Sequence, residues 1–180
     1  FIQMSEENRF RELLIERRIN KEDFVYLDYG DIHGSSKEKE GSGDGDLEIC
    51  WCTNGDLSYR LWDNDRPETP QRPFSKQKVY DCVKIPNEEI LIKNVEPTLI
   101  NGCEVKHYYS QNGIFEAYGI HVDGEGTFEL EEFMCFVCYE GKGEIAGEPI
   151  KAGETIMISA NYGPITIKGN VDLAVISYKD

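Results

Sequence analysis

From residue 90 to the end of the chain, short apolar runs alternate with polar positions and are cut repeatedly by Asn-Gly, Gly or Gly-Asn. This pattern leaves few folds open. Period-two alternation over four to eight residues predicts half-buried strands, and the glycine-bearing breaks predict the turns between them. Candidate strands fall at 91–94, 104–109, 115–121, 126–130, 134–140, 143–145, 155–159, 163–168 and 171–178. The breaks carry Asn112-Gly113, Gly124, Gly141, Gly147, Gly153 and Gly169-Asn170. Many short strands at this spacing imply an antiparallel sandwich or barrel.

The amino-terminal half is less uniform. Phe10, Leu13 and Leu14 share one helical face after a cap at Ser5, which predicts a helix over 5–19. A strand follows from residue 24. The run 35–46 is built of Gly, Ser, Lys, Glu and Asp, cannot pack a core, and reads as a mobile loop. Segments 47–53 and 57–62, joined at Asn54-Gly55, read as a hairpin. A Pro-rich stretch then changes direction before a short helix at 75–83. The division expected is a shortened or partial region at 1–90 and a terminal β domain at 91–180.

Charge and cysteines narrow the class of partner. The formal net charge is −15, which repels a phosphate backbone, and no basic stripe with interleaved aromatics offsets it. Nucleic acid is therefore not expected as a partner. No run approaches the roughly 20 apolar residues needed to cross a bilayer, so no membrane partner is expected either. Among the six cysteines, Cys135 and Cys138 form a CxxC within FMCFVCYE. On a strand, residues three apart point to opposite faces, so the pair is expected to be buried and reduced, and the protein cytoplasmic. His107 and His121, both on expected strands, read as structural or surface histidines.

Two segments resemble a known family. From Gly141, GKGEIAGEPIKAGETIMISANYGPITIKGNVDLAVISY has the Gly-x-Gly hairpin, the Ala152-Gly153-Glu154 turn and the closing strands of a terminal cupin domain in type I mannose-6-phosphate isomerases. Ser159 stands where that family has a proline. Earlier, DFVYLDYGDIHGSS and LEICWCTNGDLSYRLWDNDR resemble the catalytic cupin of the same family: a Gly-x-x-His loop at Gly30–His33, a strand ending in Glu48-Ile49, then Asp56, Tyr59, Arg60, Asp63 and Arg66. The stretch QRPFSKQK resembles the start of the helix that follows.

The resemblance implies a mainly β chain of cupin-type double-stranded β-helix (jelly-roll) domains with one or two short helices, corresponding to the carboxy-terminal part or a shortened homologue. It implies an aldose–ketose isomerase that interconverts mannose 6-phosphate and fructose 6-phosphate, with zinc assisting an enediolate intermediate. Residue by residue, it puts His33 on the metal, Arg60 on the developing negative charge, Arg66 and Asp63 at the sugar phosphate, and Glu48 behind the site. The family's Gln-x-His-Pro pair of ligands does not occur in the chain, so the remaining zinc ligands are not identified. The alternative is a non-catalytic, metal-free cupin that binds a sugar or sugar phosphate.

Overall fold

The computed structural model describes residues 1–34, 47–52, 57–63, 65–85, 91–111 and 113–178, with backbone alone at 91–92. The expected loop at 35–46 and the Asn54-Gly55 turn lie outside the described residues. The chain divides into two compact units, one of Phe1–Glu48 and Asn54–Ile92, the other of Ile49–Thr53 and Lys93–Asp180.

In the first unit, helix α1 spans Ile2–Glu6, a 3-10 turn follows at Phe10–Glu12, strand β1 is Phe24–Tyr26, and helix α2 is Lys76–Cys82. Strand β2, Leu91–Lys93, pairs with β1. The helix expected at 5–19 is therefore broken. Asn8 turns left-handed at φ 56°, and Leu14, Ile15 and Ile19 stay exposed. Phe10 reaches a small core with Leu61 and Val79, but Leu14, Ile15 and Ile19 do not, so a helix of that length has too little to offset its nucleation cost. The expected hairpin is not found either, since 47–52 and 57–62 form no strand. Leu47 and Leu57 are exposed, and only Leu61 is buried, with Phe10 and Val79. Helix α2 lies where the sequence places it, after Ser75 at its amino end.

The second unit follows from its alternation. Strands β3 (Thr98–Ile100), β4 (Cys103–Gln111), β5 (Phe115–Phe128), β6 (Met134–Ile145), β7 (Glu148–Lys151), β8 (Thr155–Ile158) and β9 (Ile165–Ser177) form one antiparallel sheet. The order is β3-β4-β5-β9-β6-β7, with β8 also on β6. Along β9 every second residue is buried: Ile165, Ile167, Val171, Leu173 and Val175. They meet Ile120 and Val122 of β5, Phe136 and Cys138 of β6, Ile150 of β7 and Ile158 of β8 in one core.

Three expected turns prove to be bends within long strands. Gly124 and Gly143 both pair with Gly169, so β5, β9 and β6 run through this point without a break. A Cβ at Gly143 would overlap the Lys168 carbonyl oxygen, and one at Gly141 the carbonyl of Asn170. Glycine there allows the backbones to cross closely where the sheet bends. Segments read as 115–121 with 126–130, 134–140 with 143–145, and 163–168 with 171–178 are thus three long strands. Strands β3 and β7 are absent from the sequence-based reading.

All six cysteines are free thiols. Cys103 and Cys138 are buried and Cys135 is partly so, while Cys50, Cys52 and Cys82 are exposed. Among the described residues, no helix is long and apolar enough to cross a membrane.

The glycine crossing gives a direct test. Gly143→Ala should lower stability in urea denaturation by about 1–3 kcal/mol, the usual cost of overpacking. Gly34→Ala, with open space around the new methyl group, should stay within about 0.5 kcal/mol of the parent. Equal stabilities for the two variants would remove the close crossing.

Candidate functional site

The segment carrying His33 is a braced turn. The backbone N–H of Asp28 donates to the Asp31 carboxylate at 2.8 Å, and the N–H of Asp31 donates back to the Asp28 carbonyl at 3.2 Å. Gly30 sits at φ +79°, against the Cys82 carbonyl at the end of α2, where a Cβ would come within 2.7 Å. Lys84 then closes the turn from the other side. Its N–H donates to the Gly30 carbonyl at 3.2 Å, its ammonium lies 2.5 Å from the Asp28 carboxylate, and it stands 3.6 Å over the Tyr29 ring. Ile32 packs against the small core of Phe10, Leu61 and Val79. His33 itself is exposed, with Nδ1 3.1 Å from the Asp31 carbonyl oxygen. A carbonyl only accepts, so the ring proton lies on Nδ1 and Nε2 keeps its lone pair outward.

The segment carrying Arg60 is fixed by the same helix. The Ser75 N–H at the start of α2 donates to the Arg60 carbonyl at 2.8 Å, and the next residue, Leu61, is buried. Trp62 stacks on Phe10 with ring centroids 5.6 Å apart, and its Nε1 donates to Asp65 at 3.1 Å. Arg11 pairs with Asp65 at 2.8 Å. Asp63, only 8% exposed, lies between two guanidinium groups: Arg66 at 2.8 Å and Arg72 at 3.2 Å. Arg66 also donates from Nε to the Asp63 carbonyl at 3.3 Å.

The three arginines are thus not equivalent. Arg66 and Arg72 share one buried carboxylate, whereas the half-buried Arg60 guanidinium has no ion pair among the described residues. His33 and Arg60 each adjoin a member of the same apolar cluster, Ile32 and Leu61. Glu48 is exposed. The sequence-based reading passed over Arg72, Lys84 and Asp28. Only Arg72 left a signal, as the cation of the QRPF stretch.

The donor set does not fit a zinc ion. A catalytic zinc takes about three protein ligands, and among the described residues no three of His, Cys, Asp and Glu are placed to hold a metal. The other two histidines belong to the second unit. His121 Nδ1 lies 2.8 Å from Asp172, and His107 stacks on Tyr118 at 4.6 Å.

The family model for the cupin domain of mannose-6-phosphate isomerase matches residues 104–178, which hold β4 through β9 except for the first residue of β4. Residues 104–178 are thus similar to the cupin domain of mannose-6-phosphate isomerases. The mannose 6-phosphate isomerase of Bacillus subtilis superposes with a TM-score of 0.54 at 24% identity, over 68% of this chain and 41% of that one. The chain therefore spans less than half the length of that enzyme, and the likeness carries the fold alone. Two smaller likenesses are PAC13 from Streptomyces, solved with uridine (TM-score 0.39, 16% identity, 46% of this chain and 74% of that one), and EutQ from Clostridium difficile (0.37, 13%, 43% and 68%). No curated protein matches the chain. The cupin-type jelly roll expected from the sequence is thus present.

The Lys84–Asp28 pair should be visible by titration. The Lys84 ammonium holds the Asp28 carboxyl below the usual Asp range, and Asp28 in turn raises Lys84. A carboxyl lowered on folding stabilises the fold above its unfolded pKa, and that contribution is lost as pH falls through the folded value. Carboxyl carbon NMR should find Asp28 titrating below its ordinary value, with Lys84→Ala returning it. An unchanged Asp28 titration in Lys84→Ala would rule out the brace.

Proposed function

We propose that the chain acts in the aldose–ketose interconversion of mannose 6-phosphate and fructose 6-phosphate. Moving a proton between C1 and C2 passes through an enediolate, whose negative charge needs a preorganised cation. The observation that carries this reading is Arg60. Its backbone is anchored to α2, its neighbour Leu61 is buried, and its guanidinium has no ion pair among the described residues. A positioned cation not already matched to a carboxylate can respond to charge that develops during a reaction.

Arg66 and Asp63 have a different task. Asp63 orients two guanidinium groups, and Arg66 is largely exposed, with its side chain 58% accessible. That arrangement suits a sugar phosphate, since a guanidinium fork matches phosphate oxygens. His33, with Nε2 outward, is the residue proposed to face a metal, though the described residues supply no companion ligands and no step is assigned to one. The free thiols agree with a cytoplasmic setting.

A second reading is a cupin that binds a sugar or sugar phosphate without converting it. That no three donor side chains converge among the described residues favours it. A coupled assay of mannose 6-phosphate to fructose 6-phosphate, with added zinc and with chelator, separates the two. The isomerase reading expects turnover, with Arg60→Ala lowering kcat/KM about 100-fold and leaving thermal stability unchanged. Full activity in Arg60→Ala would remove that residue's role. Calorimetric binding of the sugar phosphate without turnover in either condition would establish the second reading instead.

A further inference from the structure

A cavity of about 430 Å³ opens on the terminal cupin, walled by residues of β3, β4 and β5 and the segments that follow β2 and β5. Its size lies within the range of small-molecule sites. Val105, Phe128 and Leu130 supply apolar lining. One wall is a pair of flat rings: His107 and Tyr118 are register partners on β4 and β5, stacked 4.6 Å apart at 15°.

This wall is held rigidly from behind. The Tyr118 hydroxyl donates to Glu116 at 2.6 Å, and Ser110 Oγ donates to the other oxygen of the same carboxylate at 2.8 Å. Glu116 is only 6% exposed. The Tyr118 ring also meets Phe128 edge-on at 5.4 Å. Burial first, and then the Glu116 carboxylate, raise the Tyr118 hydroxyl well above its ordinary value, so it remains a neutral donor. His107, in contrast, is exposed, and among the described residues its ring nitrogens make no hydrogen bond. They are available to a ligand.

The polar groups at the cavity decide the ligand's charge. Glu96 and Glu129 contribute carboxylates, Asn101, Thr98 and Thr127 contribute amide and hydroxyl groups, and no Lys or Arg is among the described lining residues. Two carboxylates with no opposing cation repel a phosphate but accept hydrogen bonds from hydroxyl groups. A pyranose has one relatively apolar face, which suits the ring wall, and a rim of hydroxyls, which suits the acceptors. We infer that this cavity binds a neutral, unphosphorylated monosaccharide, with the exposed His107 ring, backed by Tyr118, against the sugar. The site uses none of the residues assigned to the sugar phosphate, and it does not depend on isomerase activity.

Methyl α-mannoside is a suitable probe, because its blocked anomeric carbon cannot undergo aldose–ketose isomerisation. Titrated into the full chain and followed by amide NMR, it should shift the signals of Thr98, Val105, His107, Tyr118 and Thr127. His107→Ala should weaken its binding at least tenfold, and Thr98→Trp, which fills the cavity from an exposed position, should abolish it. Methyl α-mannoside 6-phosphate should bind there at least tenfold more weakly. No shift at these amides, unchanged affinity in both variants, or tighter binding of the phosphorylated probe would overturn the assignment.

Discussion

The fold of the terminal domain depends on one strand with two partners. Strand β9 pairs along its full length with β5, from Glu116↔Ser177 to Phe128↔Ile165, and on its other edge with β6, from Met134↔Ser177 to Ile145↔Ile167. Its backbone groups are therefore satisfied on both sides, as buried polar groups must be, while its alternate side chains fill the core. Gly124, Gly143 and Gly169 coincide in register across the three strands, and at Gly143 and Gly169 the neighbouring backbone leaves no room for a side chain. Remove that coincidence and the core loses its enclosure, since Phe128 and Ile145 belong to the ends of the strands beyond the bend.

The first unit is held in another way. Among the described residues its core is three buried side chains, Phe10, Leu61 and Val79, with partly buried neighbours around them. Polar ties do the remaining work: Tyr80 donates to Glu6 at 2.6 Å and accepts from Ser5 at 2.9 Å, Lys84 braces Asp28, and Asp63 binds two arginines. The exposed pairs among these contribute little individually, at about 0–1 kcal/mol. The residues assigned to the sugar phosphate thus sit on a lightly packed scaffold, and the deeply packed one carries the cavity walled by His107 and Tyr118. Positioning Arg60 costs little in such a scaffold, because its backbone is fixed from α2 and its guanidinium need not be buried.

The sequence was legible where periodicity and turn chemistry agreed. Helix α2 and the β character of the second half could be read from alternation and from Ser75 at a helix start. Motif resemblance reached the cupin family. Glycine was misread three times in the same way: at Gly124, Gly141 and Gly169 a residue that usually ends a strand instead lets a long strand bend, and only the register of partner strands distinguishes the two. The 5–19 helix failed because periodicity shows which face is apolar but not how much of it is covered: Phe10 is buried, Leu14 and Ile19 are not. Arg66 was foreseen as a cation, while the sharing of the Asp63 carboxylate with Arg72 was not, since pairing nine residues apart leaves no local signature. The stacked His107–Tyr118 wall was hidden because the two residues lie on different strands, and the register of β4 with β5 is what brings them together.

Native-state hydrogen exchange, with and without mannose 6-phosphate, tests most directly whether packing and phosphate handling are divided between the two units. The slowest amides should be those of Val171, Leu173 and Val175 on β9 in either condition, and the ligand should slow exchange around Arg60 and Ser75. If the slowest amides fall in 1–85, or if mannose 6-phosphate protects only the residues walling the cavity at His107 and Tyr118, the division is wrong.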